Sequence, residues 1–271
     1  MIEPQVRTID GLRIRYAESE SRAEHALLLS PWPESIYAYE PTWTRLAQRT
    51  HLIAIDLPGF GHSERSDALM APRAMGQFIV RVADAFGLEQ PHLVGPDVGT
   101  AASLFAAALY PARFRSLAVG TGAAAVPLQL CGPLQEWLDA PSIEPYRKID
   151  GRQVVTAAMK NVERYVLSEA AREDYLVSYA GERFAESMRY VRTYPQQLPI
   201  LKDLLPGIAT PVLIINGERD PVVPPVNAEY LHARLPRSKL ELLDAKHFIW
   251  EDAADQYATL VTNWWAGGYA K

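Results

Sequence analysis

Short apolar runs alternate with longer stretches of helical period along most of this chain, and that alternation admits few folds. The runs fall at residues 26–29, 52–55, 92–94, 117–119, 212–215 and 240–243, each bounded by Gly, Pro, Asp or Ser. Runs this short and this apolar read as buried strands of a mostly parallel sheet. Ahead of them, residues 7–17 alternate in polarity around Asp10-Gly11, a dipeptide that supplies the positive φ angles of a tight hairpin turn. Eight strands are therefore expected. Between them, residues 71–86 place Met75, Phe78, Ile79, Val82 and Phe86 on one helical face, and residues 100–110 form an Ala-rich helix. The fold class is α/β: a doubly wound sheet with helices on both faces.

The alternation fails between residues 127 and 206. Amphipathic helical patterns at 154–165 and 169–179 occur there without a buried strand. This stretch is expected to be a helical cap inserted after the sixth strand, over a core formed by residues 1–126 and 207–271. With 48% hydrophobic residues among 271, the chain can bury a core of that size.

Charge and cysteine content narrow the setting. The chain carries 27 Lys and Arg against 32 Asp and Glu, a net charge of −5, and no basic run longer than two residues. Neither a nucleic acid nor a membrane surface is expected as a partner. One cysteine, Cys131, cannot form an internal disulfide, and no Cys/His cluster has metal-ligand spacing. The first residues lack a signal-peptide pattern, and no apolar run reaches the roughly 18 residues of a membrane span. A cytoplasmic protein without metal or organic cofactor is expected, its partner a small hydrophobic substrate. The sequence leaves open whether it forms a homodimer.

The strongest local signal is His92-Leu93-Val94-Gly95-Pro96-Asp97-Val98-Gly99-Thr100, a strand that feeds directly into a helix. Glycine two before and two after a side chain suits a sharp, strained strand-to-helix turn in which a Cβ would clash. Such a turn projects Asp97 above the sheet, at a helix N-terminus that favours an anion. An aspartate there is also a common N-cap. Two further positions weigh against that plain reading. Asp220 follows the strand at 212–215 in Gly217-Glu218-Arg219-Asp220-Pro221, and His247 follows the strand at 240–243. Nucleophile, acid and histidine in this order, each on the loop after a different strand, match the order Ser…Asp…His of one known fold.

On these residues the chain resembles the α/β-hydrolase superfamily over essentially its whole length. Its Gly95-Pro96-Asp97-Val98-Gly99 elbow resembles the branch of epoxide hydrolases and haloalkane dehalogenases, in which aspartate replaces serine. The segment Asp56-Leu57-Pro58-Gly59-Phe60-Gly61-His62-Ser63 is similar to the family's DxPGxGxS loop. Ser30-Pro31-Trp32-Pro33 stands where the family has HGxP, so His and Gly are replaced. The resemblance implies an anion hole made by the backbone N–H groups of Trp32 and Val98.

It implies a chemistry as well. A carboxylate attacking an ester would give a reactive anhydride, but it can displace a leaving group from sp³ carbon to form an alkyl-enzyme ester. His247, oriented by Asp220, would then activate the water that hydrolyses the ester. The leading expectation is hydrolysis of an epoxide to a diol, with a cap tyrosine protonating the alkoxide. Six of the chain's 13 tyrosines lie in the cap; Tyr190, Tyr194 and Tyr179 are the candidate donors. The helix resembling the family's tyrosine-bearing one puts Val191 at the expected position. The alternative is a haloalkane dehalogenase that holds halide with Trp32 and a cap tryptophan such as Trp137; here Val98 replaces the Trp that directly follows the nucleophile. An alternative of another class is a non-hydrolytic or binding member of the fold, acting on a hydrophobic biosynthetic intermediate.

Overall fold

In the computed structural model, which describes residues 2–269, strands β1 (Gln5–Ile9) and β2 (Leu12–Glu18) form the expected antiparallel hairpin. Asp10 and Gly11 take φ of 50° and 80°, the positive pair that a two-residue type I′ turn requires. The six apolar runs become β3 (Glu24–Leu29), β4 (Thr50–Ile55), β5 (His92–Pro96), β6 (Leu117–Gly120), β7 (Val212–Gly217) and β8 (Ser238–Leu243). All eight strands join one sheet in the order β1-β2-β4-β3-β5-β6-β7-β8. Only the β1–β2 and β2–β4 pairs are antiparallel.

Successive side chains of the inner strands point to opposite faces, and both faces are apolar. Leu27, Leu29, Ile53 and Ile55 enter one hydrophobic cluster with residues of α2 (Pro72–Ala85) and α3 (Val98–Leu109). Ala26, Leu28, Leu52 and Ala54 enter another, with residues of α1 (Glu40–Leu46), α10 (Ile249–Asp252) and α11 (Ala254–Asn263). The remaining helix of the carboxyl half, α9 (Val226–His232), packs on β7 and β8.

Between β6 and β7 lie α4 (Gly132–Asp139), α5 (Gly151–Met159), α6 (Glu169–Ser178), α7 (Arg183–Val191) and α8 (Tyr194–Leu204), with no strand. The helix expected over 154–165 stops at Met159. A tertiary contact overrides its pattern: the Asp252 carboxylate accepts the backbone N–H groups of Glu163, Arg164 and Tyr165 at 2.7–3.2 Å, taking them out of helical bonding. A new helix starts where Ser168 caps α6 through the N–H of Ala171. Arg15 of β2 ties α6 to the sheet, bonding Asp174 at 2.5 Å and Asp56 at 3.3 Å. Asp56 in turn accepts the N–H groups of Ile36 and His62. The DxPGxGxS-like loop thereby buttresses the β3 loop, which accounts for its aspartate without assigning it chemistry.

The strand order fixes where a site can form. From β3 the chain crosses to β4 on one side, whereas β5 lies on the other. The carboxyl ends of β3 and β5 therefore flank a topological switch point, where the loops diverge and leave a crevice. Among the described residues, no helix is long and apolar enough to cross a membrane.

Candidate active site

Asp97 occupies the turn between β5 and α3 with φ 50° and ψ −121°, a conformation that costs a non-glycine residue backbone strain. Close packing holds it there. A Cβ on Gly95 would come within 2.1 Å of Ser103 Oγ and 2.8 Å of the Gly99 carbonyl oxygen. Gly99, by contrast, has room for a methyl at ordinary contact distance from Leu29, so the expected steric demand holds at Gly95 alone. Gly122 supplies a second close approach, since a Cβ there would lie 2.4 Å from the Asp97 carbonyl oxygen. The spacing around the elbow gives no hint of it, because Gly122 arrives from the loop after β6.

The Asp97 side chain makes no capping bond to α3. Instead its Oδ2 accepts the backbone N–H of Trp32 at 2.6 Å, and its Oδ1 lies 3.7 Å from His247 Nε2. His247 Nδ1–H donates to Asp220 Oδ2 at 2.8 Å. The other oxygen, Asp220 Oδ1, accepts the N–H groups of Val222 and Val223, which fixes the carboxylate plane. Asp97, Asp220 and His247 are 5–6% exposed. Val98 N–H, at the start of α3, meets no acceptor among the described residues. Five residues that the sequence singles out, Asp97, Asp220, His247, Trp32 and Val98, thus converge on the crevice.

Burial alone would push His247 down, but the charge and hydrogen bond of Asp220, followed by those of Asp97, overrule it and raise the imidazole to about 10. The resting histidine is a cation between two carboxylates. Its folded value exceeds the ordinary 6.5, so its contribution to stability is complete below that pH and is lost as pH rises towards 10. In an NMR titration the imidazole is expected to remain protonated through neutrality, and Asp97→Asn is expected to move its transition down. An ordinary transition near neutrality in the unaltered protein would show that the two carboxylates do not control it.

Beside this group lies a cavity of about 150 Å³. Trp32, Asp97, Val222, His247 and Phe248 line its lower part, and Trp137 of α4, Val154 and Ala157 of α5, and Asn161 line it from above. The walls are mostly apolar. Trp32 does not turn its indole N–H to this space: the group donates to Ser187 Oγ of α7 at 2.8 Å, while the ring stacks on Phe184. Among the described residues the Trp137 indole N–H and the Asn161 side-chain amide have no hydrogen-bond partner in the protein. Trp137 meets Trp32 edge-on at 5.4 Å.

The expected tyrosine donors are placed elsewhere. Tyr179 Oη donates to the Glu34 carbonyl oxygen at 2.9 Å and accepts from Gly61 N–H. Tyr190 Oη donates to the Val98 carbonyl oxygen at 3.0 Å, bracing the start of α3. Tyr194 packs edge-on against Tyr190. None of the three, nor Val191, lines the cavity. Burial raises all three phenols well above their usual value of 10, Asp97's charge adding to the effect, so each is a weaker acid than free tyrosine. Helical periodicity assigns a face but cannot tell which backbone carbonyl a buried hydroxyl will find. No group of three or more His, Cys, Asp or Glu among the described residues could hold a metal.

Residues 27–254 match the family model of the alpha/beta hydrolase fold. A haloalkane dehalogenase from Bradyrhizobium diazoefficiens is 28% identical over an alignment of 308 residues that covers 98% of this chain and 96% of that protein. The serine hydrolase BPHL of Mus musculus is 27% identical, covering 93% and 83%. Among solved structures, the epoxide hydrolase CorEH superposes with a TM-score of 0.82 at 16% identity, covering 98% of this chain and 99% of that one; at that identity the likeness speaks for the fold alone. With the family model spanning most of the sequence and the sheet, elbow and loop order all in place, the chain belongs to the alpha/beta hydrolase fold family.

Proposed function

We propose that this hydrolase acts at sp³ carbon through an ester on Asp97, displacing halide from a small apolar substrate. The observation that carries the reading is the split use of the Asp97 carboxylate. Oδ2 is already held by the Trp32 N–H, while Oδ1 lies 3.7 Å from His247 Nε2 in a residue that lines the cavity. Oδ1 attacks the carbon, the carbon–halogen bond breaks, and its electron pair leaves as halide. Alkylation removes the Asp97 charge, so His247 loses one of the two anions that hold its proton. Its basicity falls, the proton departs to solvent, and the neutral imidazole takes a proton from a water that attacks Asp97 Cγ. The oxyanion forms at Oδ2, between the N–H groups of Trp32 and Val98. Collapse expels the alcohol, which takes the proton from His247 and leaves a water-derived oxygen in the carboxylate.

The cavity lining supports halide as the leaving group. A halide departs as an anion and needs only N–H donors, and the indole of Trp137, which lines the cavity, is the donor this reading assigns to it. Epoxide opening, the leading expectation from sequence, needs an acid for the alkoxide, yet the Tyr179 and Tyr190 protons are committed to backbone carbonyls. Kinship with a haloalkane dehalogenase over 98% of the chain supports the same choice. A cavity of about 150 Å³ matches a ligand of about benzene's size.

Bromide release from 1,2-dibromoethane and benzyl bromide, beside diol formation from styrene oxide, tests the assignment. Trp137→Phe is expected to lower bromide release by about 10²-fold, the usual cost of one donor at a developing anion. Phe at Tyr179, Tyr190 or Tyr194 is expected to have a smaller effect. Faster diol formation, abolished by Tyr190→Phe or Tyr194→Phe, would return the reading to an epoxide hydrolase.

A further inference from the structure

Two buried carboxyl groups lie behind the site, and the mechanism above uses neither. Glu34 stands two residues after Trp32 on the β3 loop and is wholly buried; Glu251 stands four residues after His247 in α10 and is 2% exposed. Glu34 Oε2 accepts the indole N–H of Trp250 at 2.9 Å, and Glu251 Oε1 accepts the hydroxyl of Tyr175 in α6 at 3.0 Å. The two remaining oxygens, Glu34 Oε1 and Glu251 Oε2, find no donor elsewhere. The carboxyls are within hydrogen-bonding reach of each other.

Neither glutamate forms an ion pair with a Lys or Arg among the described residues; the nearest cation is His247, on the far side of the Trp250 ring. The groups facing the pair are Tyr39 and Glu40 from the segment leading into α1, Tyr175 from α6 and Tyr165 from the turn before it. Trp250 and Asp252 face it from α10, and Asp97 from the elbow. Each of these is neutral or acidic. Two carboxylates side by side in such a setting repel, and a single shared proton converts the repulsion into a hydrogen bond. The proton also satisfies both orphaned oxygens at once.

We propose that Glu34 and Glu251 share one proton, and that this acid pair positions the site by fastening the loop of the Trp32 amide to the helix after His247. Tyr175 extends the fastening to α6, so one proton holds together the anion-hole loop, the histidine segment and the helical insert. Both glutamates are positioning residues. Trp250 couples the pair to the histidine directly, because its ring packs edge-on against His247 at 6.2 Å between centroids. The inference goes beyond the proposed chemistry, since any reaction that uses Asp97, the Trp32 amide and His247 would depend on the same fastening.

Burial raises both acids; the charge of Glu251 adds to the rise of Glu34, while Glu251, held back by its hydrogen bonds to Glu34 and Tyr175, reaches about 8. A folded value above the unfolded one gives a contribution to stability that is complete below the ordinary value of 4.5, is lost progressively as pH rises from there, and is gone above about 8. Glu251→Gln keeps the shape and donates an N–H to Glu34 without titrating. Glu251→Ala removes the fastening altogether.

The infrared spectrum and the pH dependence of the melting temperature test this without any substrate. The unaltered protein is expected to show a protonated-carboxyl C=O band at neutral pH that disappears in alkali, and the Gln variant is expected to lack that band and the part of the fall in melting temperature, between the ordinary value of 4.5 and about 8, that the pair contributes. His247 titrates in both proteins and drops out of the difference. For bromide release from 1,2-dibromoethane, Glu251→Ala is expected to lose about 10–10²-fold in kcat with KM little changed, the cost of misplacing a catalytic group by about an ångström. Glu251→Gln is expected to restore the rate and to extend activity to higher pH. Glu34→Gln is the reciprocal variant for the infrared and melting measurements if the alanine protein does not fold. A carboxyl band and a pH dependence of melting unchanged in both Gln variants would overturn the shared proton. Gln and Ala proteins with identical rates and pH profiles would overturn the positioning role.

Discussion

A His247→Gln variant is expected to release about one equivalent of leaving group per protein molecule and then stop. In the proposed scheme the two half-reactions are separate: Oδ1 of Asp97 makes the bond to carbon, whereas His247 Nε2, 3.7 Å from that oxygen, is needed only to activate water. Gln removes the base while keeping a side chain of polar character beside Asp97. The alkyl ester should therefore accumulate, visible as a mass increase on the peptide that contains Asp97. Steady-state turnover should fall by about 10⁴-fold or more, the scale of losing one member of a hydrolytic triad. Asp220→Asn should impair the same step, because Asp220 fixes the tautomer through Nδ1–H and holds up the imidazolium. Normal turnover by the Gln variant would remove His247 from the mechanism. Absence of any burst would place its role before alkylation.

The geometry of the candidate site was legible in the sequence wherever a single local constraint determines a position. Asp10-Gly11 demands positive φ and yields one turn type. Gly95 has no room for a Cβ, so the strand has to end in an elbow that lifts Asp97. Asp220 and His247 each follow a short apolar strand, and parallel strands deliver their following loops to one edge of the sheet. The resemblance to the Asp-nucleophile branch rested on these same positions.

Features set by contacts distant in sequence were not legible. The indole of Trp32 reaches Ser187, 155 residues away, so a residue expected to face a halide faces α7 instead. Tyr179 and Tyr190 occupy helical faces that periodicity identifies as buried, but their hydroxyl partners, Glu34 and Val98, lie 145 and 92 residues away. Asp252 ends the helical pattern after Met159 by binding Glu163, Arg164 and Tyr165 from 87–89 residues away. Asn161 reaches the cavity wall on the turn that follows, where the sequence promised more helix. The Glu34–Glu251 pair has the same origin: each glutamate stands close to a catalytic loop, yet nothing local marks either as buried.

Asp97→Ala is expected to abolish turnover, and labelled water should show why. In this scheme the oxygen that ends in the alcohol is Asp97 Oδ1, since hydrolysis occurs at Cγ and breaks the bond between Cγ and the ester oxygen. A single turnover in ¹⁸O water should therefore give unlabelled alcohol and place the label in the Asp97 carboxylate. Later turnovers should deliver that label to product as the carboxylate oxygens are reused. The alternative mechanism keeps Asp97 as a base and lets water attack the substrate carbon directly, in which case ¹⁸O would appear in the first product. The geometry favours the covalent route: Oδ2 is already fixed by the Trp32 amide at 2.6 Å, where the proposal has the oxyanion of a hydrolysing ester form. An aspartate acting only as a base would gain little from a donor that stabilises its charge, because the same bond weakens it as a base. For a nucleophile the donor holds one oxygen in place during the attack and becomes part of the anion hole once the ester has formed. Label in the first alcohol would leave that hole without a purpose and would overturn covalent catalysis by Asp97.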